Sequence, residues 1–498
     1  MSTGLTPREV GVVIIGTLMA MFLAALDQTI VATALPPIAG EFGDFTLVSW
    51  VVTAYLVTST AVTPVIGKLS DLYGRRSTLL IAGGVFMASS VFCALAPNMT
   101  TLIFARALQG LGGGALITVP MAIIGDVVSP RERGRYAGYF SSMWVAAALA
   151  GPILGGFLTE YFGWRLIFWI NIPLGAAALL VVNQVLRKLP VTPRRGSIDY
   201  LGVMWLTCGT VTLLLLLSLG GKRIPWTSAS SLLLAAASLV LAALFVRRQW
   251  VAREAIVPPR FMRHKVIAPV LAVGVLVPGT HLALSVLAPI YFQVALGKSV
   301  STSGLLMIPL MVSSTMTANL AGLYSRKTAR YKQPPLYGLA FAAVVMALLA
   351  WFADTLSAPA VSFAMMMAGF GIGPSYPCST VAAQNAVERQ DMGAVTGAVT
   401  FSRALGGALA IAAGSALLLG LLSGTLDQLP MEGERIASLE DLARQALPPA
   451  ARAAVGQAFG VLFGVMAGMF ALGLAVFTLV EDRLLSDQPT IRTVSSPD

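Results

Sequence analysis

The sequence predicts an all-α integral membrane protein that crosses the bilayer about fourteen times. Three observations carry that reading. Of the 498 residues 56% are hydrophobic and only 11% charged, where a soluble domain carries about 25% charged residues. The mean hydropathy is +0.80. The apolar residues also gather in stretches long enough for a helix to cross the hydrocarbon, which takes about 20 residues. A bilayer is the solvent in which so many apolar side chains can face outward.

The stretches run in order 10–35, 46–67, 77–95, 101–126, 135–160 and 164–186, then 200–219 and 230–246, then 266–294, 302–324, 335–352, 358–385, 394–422 and 457–480. The first is longer than the apolar core of a cleavable signal peptide and reads as a retained span. The fourth, fifth, twelfth and thirteenth are rich in glycine, which lets helices approach closely in lipid. Basic segments at 187–195 and 247–265 set off the middle pair. The predicted organisation is an N-terminal six-helix bundle at 1–190, two linker helices with a cytoplasmic segment at 191–265, and a C-terminal six-helix bundle at 266–498. That last unit includes an external loop at 423–456 and a cytoplasmic tail. Apolar residues at near-helical spacing in 436–447 predict a short surface helix within the loop, with a plain solvated loop as the alternative.

The net charge of +11 does not indicate nucleic acid, because the basic residues lie in short clusters between apolar runs. With the N-terminus in the cytoplasm, most Lys and Arg fall in loops on that side, so both termini are expected inside, at the cell inner membrane. Cys93, Cys208 and Cys378 are far apart in sequence and show neither metal spacing nor a disulfide framework; they read as buried, inert thiols. His264 and His281 form no ligand pair, so no metal site is expected. There is no phosphate-binding loop, no plausible catalytic triad and no soluble domain to hold one, which argues against an enzyme and against ATP-driven transport.

Ionisable residues inside spans carry the sharper signal, because a charge in hydrocarbon is costly and usually functional. Asp27 lies about two thirds along the first span, and Arg106 about five residues into the fourth, which runs the other way. The two should share a depth in the outer half, as a coupling pair or as a static ion pair. Arg403 lies in the thirteenth span, either in a cavity or snorkelling toward the cytoplasmic face. His281 is mid-span in the ninth and reads as a cavity residue or a satisfied core histidine. Trp50, Tyr55, Gln109, Tyr376 and Phe401 are candidate substrate contacts, joined by Met307, Met311 and Met365–Met367, whose flexible thioethers suit variable apolar ligands. Many such residues simply pack or face lipid.

Between the second and third spans stands Gly67-Lys-Leu-Ser-Asp71-Leu-Tyr-Gly74-Arg75-Arg76. Its glycines permit a tight loop, Asp71 can pair with Arg75 or with a helix N-terminus across a bundle interface, and the arginines are expected in cytoplasmic water near anionic lipid. A weaker copy, Gly322-Leu-Tyr-Ser-Arg-Lys-Thr-Ala-Arg330, follows the tenth span, and repeated bundles around a midplane site are a common transporter design. In the fifth span Gly151-Pro152-Ile-Leu-Gly155-Gly156 weakens the helix locally and permits close packing. It provides either a hinge between bundles or a packing kink.

These segments resemble the motifs of the major facilitator superfamily. Residues 67–76 resemble its cytoplasmic loop signature, Arg106-Ala-Leu-Gln109-Gly110 its fourth-helix motif, and 151–156 the fifth-helix motif of antiporters. Leu26-Asp27-Gln-Thr29-Ile-Val31-Ala-Thr-Ala34-Leu35-Pro36 and Trp164-Arg165-Leu-Ile-Phe168-Trp-Ile-Asn171-Ile-Pro173 are similar to segments of its fourteen-helix drug:proton antiporters, the EmrB/QacA type. The resemblance implies the major facilitator fold and a proton-coupled exporter of amphipathic or lipophilic compounds, with Asp27 carrying the proton and residues 67–76 latching the cytoplasmic gate. A specific metabolite, siderophore or lipid carrier of the same superfamily is the alternative. The implied partners are a small substrate, protons and membrane lipids, with no nucleic acid, a periplasmic adaptor left open, and no cofactor beyond the proton motive force. Some relatives that export dications carry extra acids in the tenth or thirteenth helix. Neither 302–324 nor 394–422 contains one, which disfavours strong dication selectivity and favours monovalent cationic or neutral amphiphiles.

Overall fold

Thr6 starts the first helix. Its hydroxyl accepts from Glu9 N–H while the Glu9 carboxylate accepts from Thr6 N–H, at 3.3 and 2.8 Å, a reciprocal cap that satisfies two otherwise orphaned donors. The same economy recurs at other helix starts, where the side chains of Asn98, Asp199, Ser228 and Ser299 each accept an N–H from the first turn. Long apolar runs then propagate without interruption.

The computed structural model describes residues 6–44, 47–187, 199–220, 224–252, 254–426 and 449–485. The predicted surface helix at 436–447 and most of the 423–456 loop lie outside the described residues. The N-terminal helices are α1 Pro7–Phe42, α2 Trp50–Tyr73, α3 Arg75–Ala94, α4 Met99–Val127, α5 Pro130–Phe162, α6 Leu166–Trp169 and α7 Asn171–Leu186. The middle pair is α8 Tyr200–Leu219 and α9 Ala229–Val251. Then follow α10 Pro259–Arg263, α11 Ile267–Val294, α12 Val300–Thr328, α13 Gln333–Trp351, α14 Ala358–Ile372, α15 Ser375–Asn385, α16 Met392–Leu426 and α17 Pro449–Thr478.

Among the described residues thirteen helices are long and apolar enough to cross a membrane. The difference from fourteen falls at 358–385, where the apolar run is not one helix. It breaks at Gly373-Pro374 into α14 and α15. Proline cannot donate to the preceding turn, and at this break it starts a new helix. The outward faces are hydrocarbon-like, with Ile81 69% and Trp351 81% exposed, as lipid contact permits.

In the N-terminal bundle α1 packs on α5 and α7, and α4 on α2 and α3. In the C-terminal bundle α11 packs on α16 and α17, α12 on α14, and α13 on α14 and α17. Two seams join the bundles, α2 against α16 and α5 against α12. The middle pair is not a separate unit in space, since α8 leans on α2 and α16 and packs along its length with α9.

Two seams and two polar clusters: the candidate transport site

Each seam closes on a pair of glycines. A Cβ on Gly67 would run into the Gly393 carbonyl, and one on Gly322 into the Gly134 carbonyl. Gly67 and Gly322 are equivalent positions of the internal repeat, so the repeat places one backbone-to-backbone contact on each seam. Polar bonds reinforce both. Asp71 Oδ1 and Oδ2 accept from Gly393 N–H and Ala394 N–H at 2.8 and 2.7 Å. The carboxylate thereby caps the N-terminus of α16 across the interface, where the helix dipole favours negative charge. Arg75 pairs with Asp71 at 2.6 Å and with Asp126 at 2.8 Å, and Arg389 approaches Asp126 at 3.8 Å. On the other seam Arg131 Nε donates to Arg326 O at 2.6 Å, Arg326 pairs with Glu132 at 3.1 Å, and Asn319 donates to Ser142 at 2.9 Å.

This differs from the sequence reading in two respects. Arg75 does not stay in water. Its side chain is 12% exposed because two carboxylates draw it inward. Arg76 turns away from the seam and donates to Asn183 on α7 at 2.8 Å. Gly74, with φ +88°, makes the turn that sends the two arginines apart, a conformation open to glycine without strain.

The fifth-helix motif acts inside its own bundle. Cβ atoms on Gly151 and Gly155 would collide with Thr29 and Thr33 of α1, while Gly156 faces open space. Thr29 donates to Ala147 O at 3.0 Å, and α5 continues as one helix through Pro152. The motif therefore locks α5 to α1 two residues past Asp27, and α5 in turn forms the α12 seam.

Asp27 and Arg106 meet at 2.6 Å, both with no exposed surface. Asp27 also accepts from Gln109 Nε2 at 3.1 Å and Asn171 Nδ2 at 2.8 Å. Gln109 and Asn171 each donate to Ser90 as well, at 2.9 Å. Arg106 donates to Gln109 Oε1 at 2.6 Å and to Val51 O at 3.0 Å, and its guanidinium covers the Tyr55 ring at 4.4 Å. Five helices, α1, α2, α3, α4 and α7, thus seal one ion pair among neutral dipoles. Such networks are worth most when fully satisfied; here Arg106 Nη2 and Asn171 Oδ1 are buried without a partner.

Tyr55 and Gln109 are consequently not available as substrate contacts, since both are fully buried in this cluster. Phe401 packs with Val65, Leu206 and Ile256 at the α2–α8 contact, away from Tyr376. Met307 and Met365 are core, and Trp50 is partly exposed at the start of α2. Of the cysteines, Cys93 and Cys378 are buried but Cys208 is exposed on α8, where hydrocarbon makes an outward-facing thiol cheap. Ser90 and Asn171 were missed as site residues. Both are neutral, and only the position of Asn171 within the Trp164–Pro173 motif pointed to it.

A second cluster lies in the C-terminal bundle. Arg403 Nη2 donates to Tyr376 O, Ser379 Oγ and Thr380 Oγ1 at 2.8, 2.9 and 2.7 Å. His281 Nδ1 meets the Tyr376 hydroxyl at 2.9 Å. Arg403 therefore does not snorkel; the first turns of α15, set at an angle by the Gly373-Pro374 break, hold it.

The profile of the Major Facilitator Superfamily matches residues 17–411. The chain is 34% identical over 435 residues to the multidrug transporter protein MdtP of Bacillus subtilis (strain 168), covering 85% of this chain and 80% of that one. It is 32% identical over 487 residues to the efflux pump dotC of Dothistroma septosporum (strain NZE10 / CBS 128990), covering 95% and 84%. Among solved structures, the proton:xylose symporter XylE superposes with a TM-score of 0.61 at 14% identity, covering 96% of this chain and 97% of that one, a likeness of fold alone. The chain belongs to the major facilitator superfamily. It is a multi-pass membrane transporter and not an enzyme.

Proposed function

We propose that this transporter is a proton-coupled exporter of amphipathic compounds of the fourteen-helix drug:proton antiporter type, working by alternating access with Asp27 as the proton-carrying carboxylate. In this reading α14 and α15 together make the twelfth span and bring the total to fourteen, both termini are cytoplasmic in the inner membrane, and the seams described above form the closed inner gate. The observation that carries the proposal is the sealed pair Asp27–Arg106 at 2.6 Å, with Asp27 the one carboxylate set deep within a span among the described residues. Efflux pumps among the relatives support export.

The chemistry needs no cofactor. While Asp27 is ionised, Arg106, Gln109 and Asn171 all bond to it and hold α1 against α4 and α7. A proton arriving from outside removes the charge that Arg106 neutralises, and the cluster loosens. Because Thr29 fastens α1 to α5 beside Asp27, any shift of α1 is felt at the α5–α12 seam. Bistable packed interfaces convert such small shifts into a change of state. The membrane potential supplies about 2.3 kcal/mol per charge per 100 mV, to which the pH gradient adds.

The test is dye and drug accumulation in energised inverted vesicles, with and without an uncoupler. Wild-type vesicles should accumulate substrate and lose it on uncoupling. Asp27→Asn should abolish uphill accumulation while binding persists. Uphill accumulation by Asp27→Asn in response to ΔpH would remove the coupling role and make His281 the next residue to test.

A further inference from the structure

The two arginines within the spans are treated differently by the fold. Arg106 faces Asp27. Among the described residues Arg403 has no carboxylate partner, and helices α11 to α17 contain neither Asp nor Glu. Asp27 cannot serve it, being enclosed in the other bundle. Arg403 lies 11 residues into α16, about 16 Å from its start at 1.5 Å per residue, and so near the middle of a hydrocarbon core about 30 Å thick.

A charge at that depth normally has a partner of opposite sign or lines a polar cavity. Here it has only neutral acceptors, and all three bonds use one nitrogen. Within the cluster polar atoms are left over: Arg403 Nε and His281 Nε2 are buried without a partner. When the Tyr376 hydroxyl donates to His281 Nδ1, the other ring nitrogen carries a hydrogen and becomes a second donor in want of an acceptor. Arg403, His281 and Tyr376 are each partly exposed, so the cluster is not sealed as the Asp27 cluster is. A positive group with spare N–H donors fits the planar, multidentate recognition of an oxyanion.

We propose that Arg403, with His281 and Tyr376, is a recognition site for an acidic headgroup, a carboxylate or similar oxyanion, on an amphipathic substrate. The inference rests on the export reading for the amphipathic part and replaces the preference for cationic or neutral compounds that the absence of acids suggested. A substrate bearing a carboxylate brings among helices α11 to α17 the negative charge that those helices lack.

The experiment titrates the full-length protein in lipid nanodiscs with two fluorescent probes that share one tail, dansyl-phenylalanine (carboxylate) and dansyl-phenylalanine amide (neutral), and subtracts empty nanodiscs. The wild type should bind the carboxylate at least about tenfold more tightly, the worth of a hydrogen bond to a charged group. Arg403→Gln should reduce that ratio to near one by weakening the carboxylate while the amide keeps its affinity, and Arg403→Lys should keep part of it. The wild-type comparison decides the matter even if a variant folds poorly: equal affinity for the two probes overturns the site, as does a ratio that survives Arg403→Gln. Transport of the same pair separates the two readings. Uphill export of both probes without preference would leave the export reading standing and remove this site. A carboxylate preference in binding with no uphill export would do the reverse.

Discussion

Asp71 and Gly393 stand 322 residues apart in the chain and on different bundles, yet the N–H of Gly393 donates to Asp71 Oδ1 at 2.8 Å. One carboxylate therefore does two tasks. It caps α16, and it holds the arginine that also binds Asp126. The bonds from Gly393 and Ala394 cannot survive a separation of the seam, whereas the Asp71–Arg75 pair lies within one bundle, so the Asp71–Gly393 contact reports directly on whether this seam is closed.

Replacing Asp71 by Asn removes the charge shared by Arg75 and the helix end but leaves the shape. Hydrogen bonds to charged groups contribute about 1.5–3 kcal/mol, so the closed state should lose tenfold or more in population. Initial rates of transport should fall by about that factor while substrate affinity in detergent changes by less than about twofold. Equal losses in both measurements would mean that Asp71 serves the binding site and not the gate.

The glycine contacts predict a steric counterpart. Gly67→Ala or Gly322→Ala places a methyl group where a carbonyl stands in the closed seam, and the backbone must move to admit it. Overpacking costs typically about 1–3 kcal/mol. Each variant should lower the melting temperature of the purified protein and impair transport, and the double variant should be worse than either. Wild-type stability in both single variants would show that the seams are looser than described.

Within the fifth-helix motif the glycines should not be equivalent. Gly151→Ala and Gly155→Ala meet Thr29 and Thr33, whereas Gly156→Ala meets nothing within 4 Å. Efflux assays on the three variants should give clear losses for the first two and near wild-type activity for the third. A hinge role for the whole motif predicts instead that all three suffer.

The segment that follows α9 touches α2 through Lys68, which pairs with Glu254 at 2.7 Å. Glu254 is 28% exposed, so the pair is worth about 1 kcal/mol at most. Lys68→Glu and Glu254→Lys should each slow transport several-fold, and the combined exchange should restore part of the rate. Additive losses in the double variant would show that the two residues act separately.

Topology is checked by labelling. In a variant with Cys208 replaced, a cysteine at position 434 should react with a membrane-impermeant maleimide in intact cells. Reaction only after permeabilisation would invert the assigned orientation.

Much of the architecture was legible because hydropathy and charge clustering are one-dimensional properties. The shared depth of Asp27 and Arg106 followed from span direction alone, and so did the option of Asp71 capping a helix across the interface. What was not legible is azimuth. Tyr55 and Phe401 looked like cavity residues, but the first turns beneath Arg106 and the second toward α8, and sequence does not fix which face of an all-apolar helix points where. Ser90 and Asn171 escaped for a related reason: neutral polar residues are common in spans, and their importance lies in convergence on one carboxylate. The break at Gly373-Pro374 was visible as residues and invisible as geometry, since hydropathy averages over it.

The inserted pair α8–α9 lies along only one of the two seams. Beside α2 and α16 it interposes protein, with Leu206 of α8 packed on Val65. Along α5 and α12 no inserted helix matches it among the described residues, and Ile153 and Leu305 are 70% and 64% exposed. The molecule is lopsided in the plane of the membrane: one joint is upholstered by its own chain, and the other moves directly against acyl tails. Bilayer thickness and acyl-chain order therefore act on one hinge line more than on its counterpart, so the lipid mixture itself becomes a lever on how readily the two halves part.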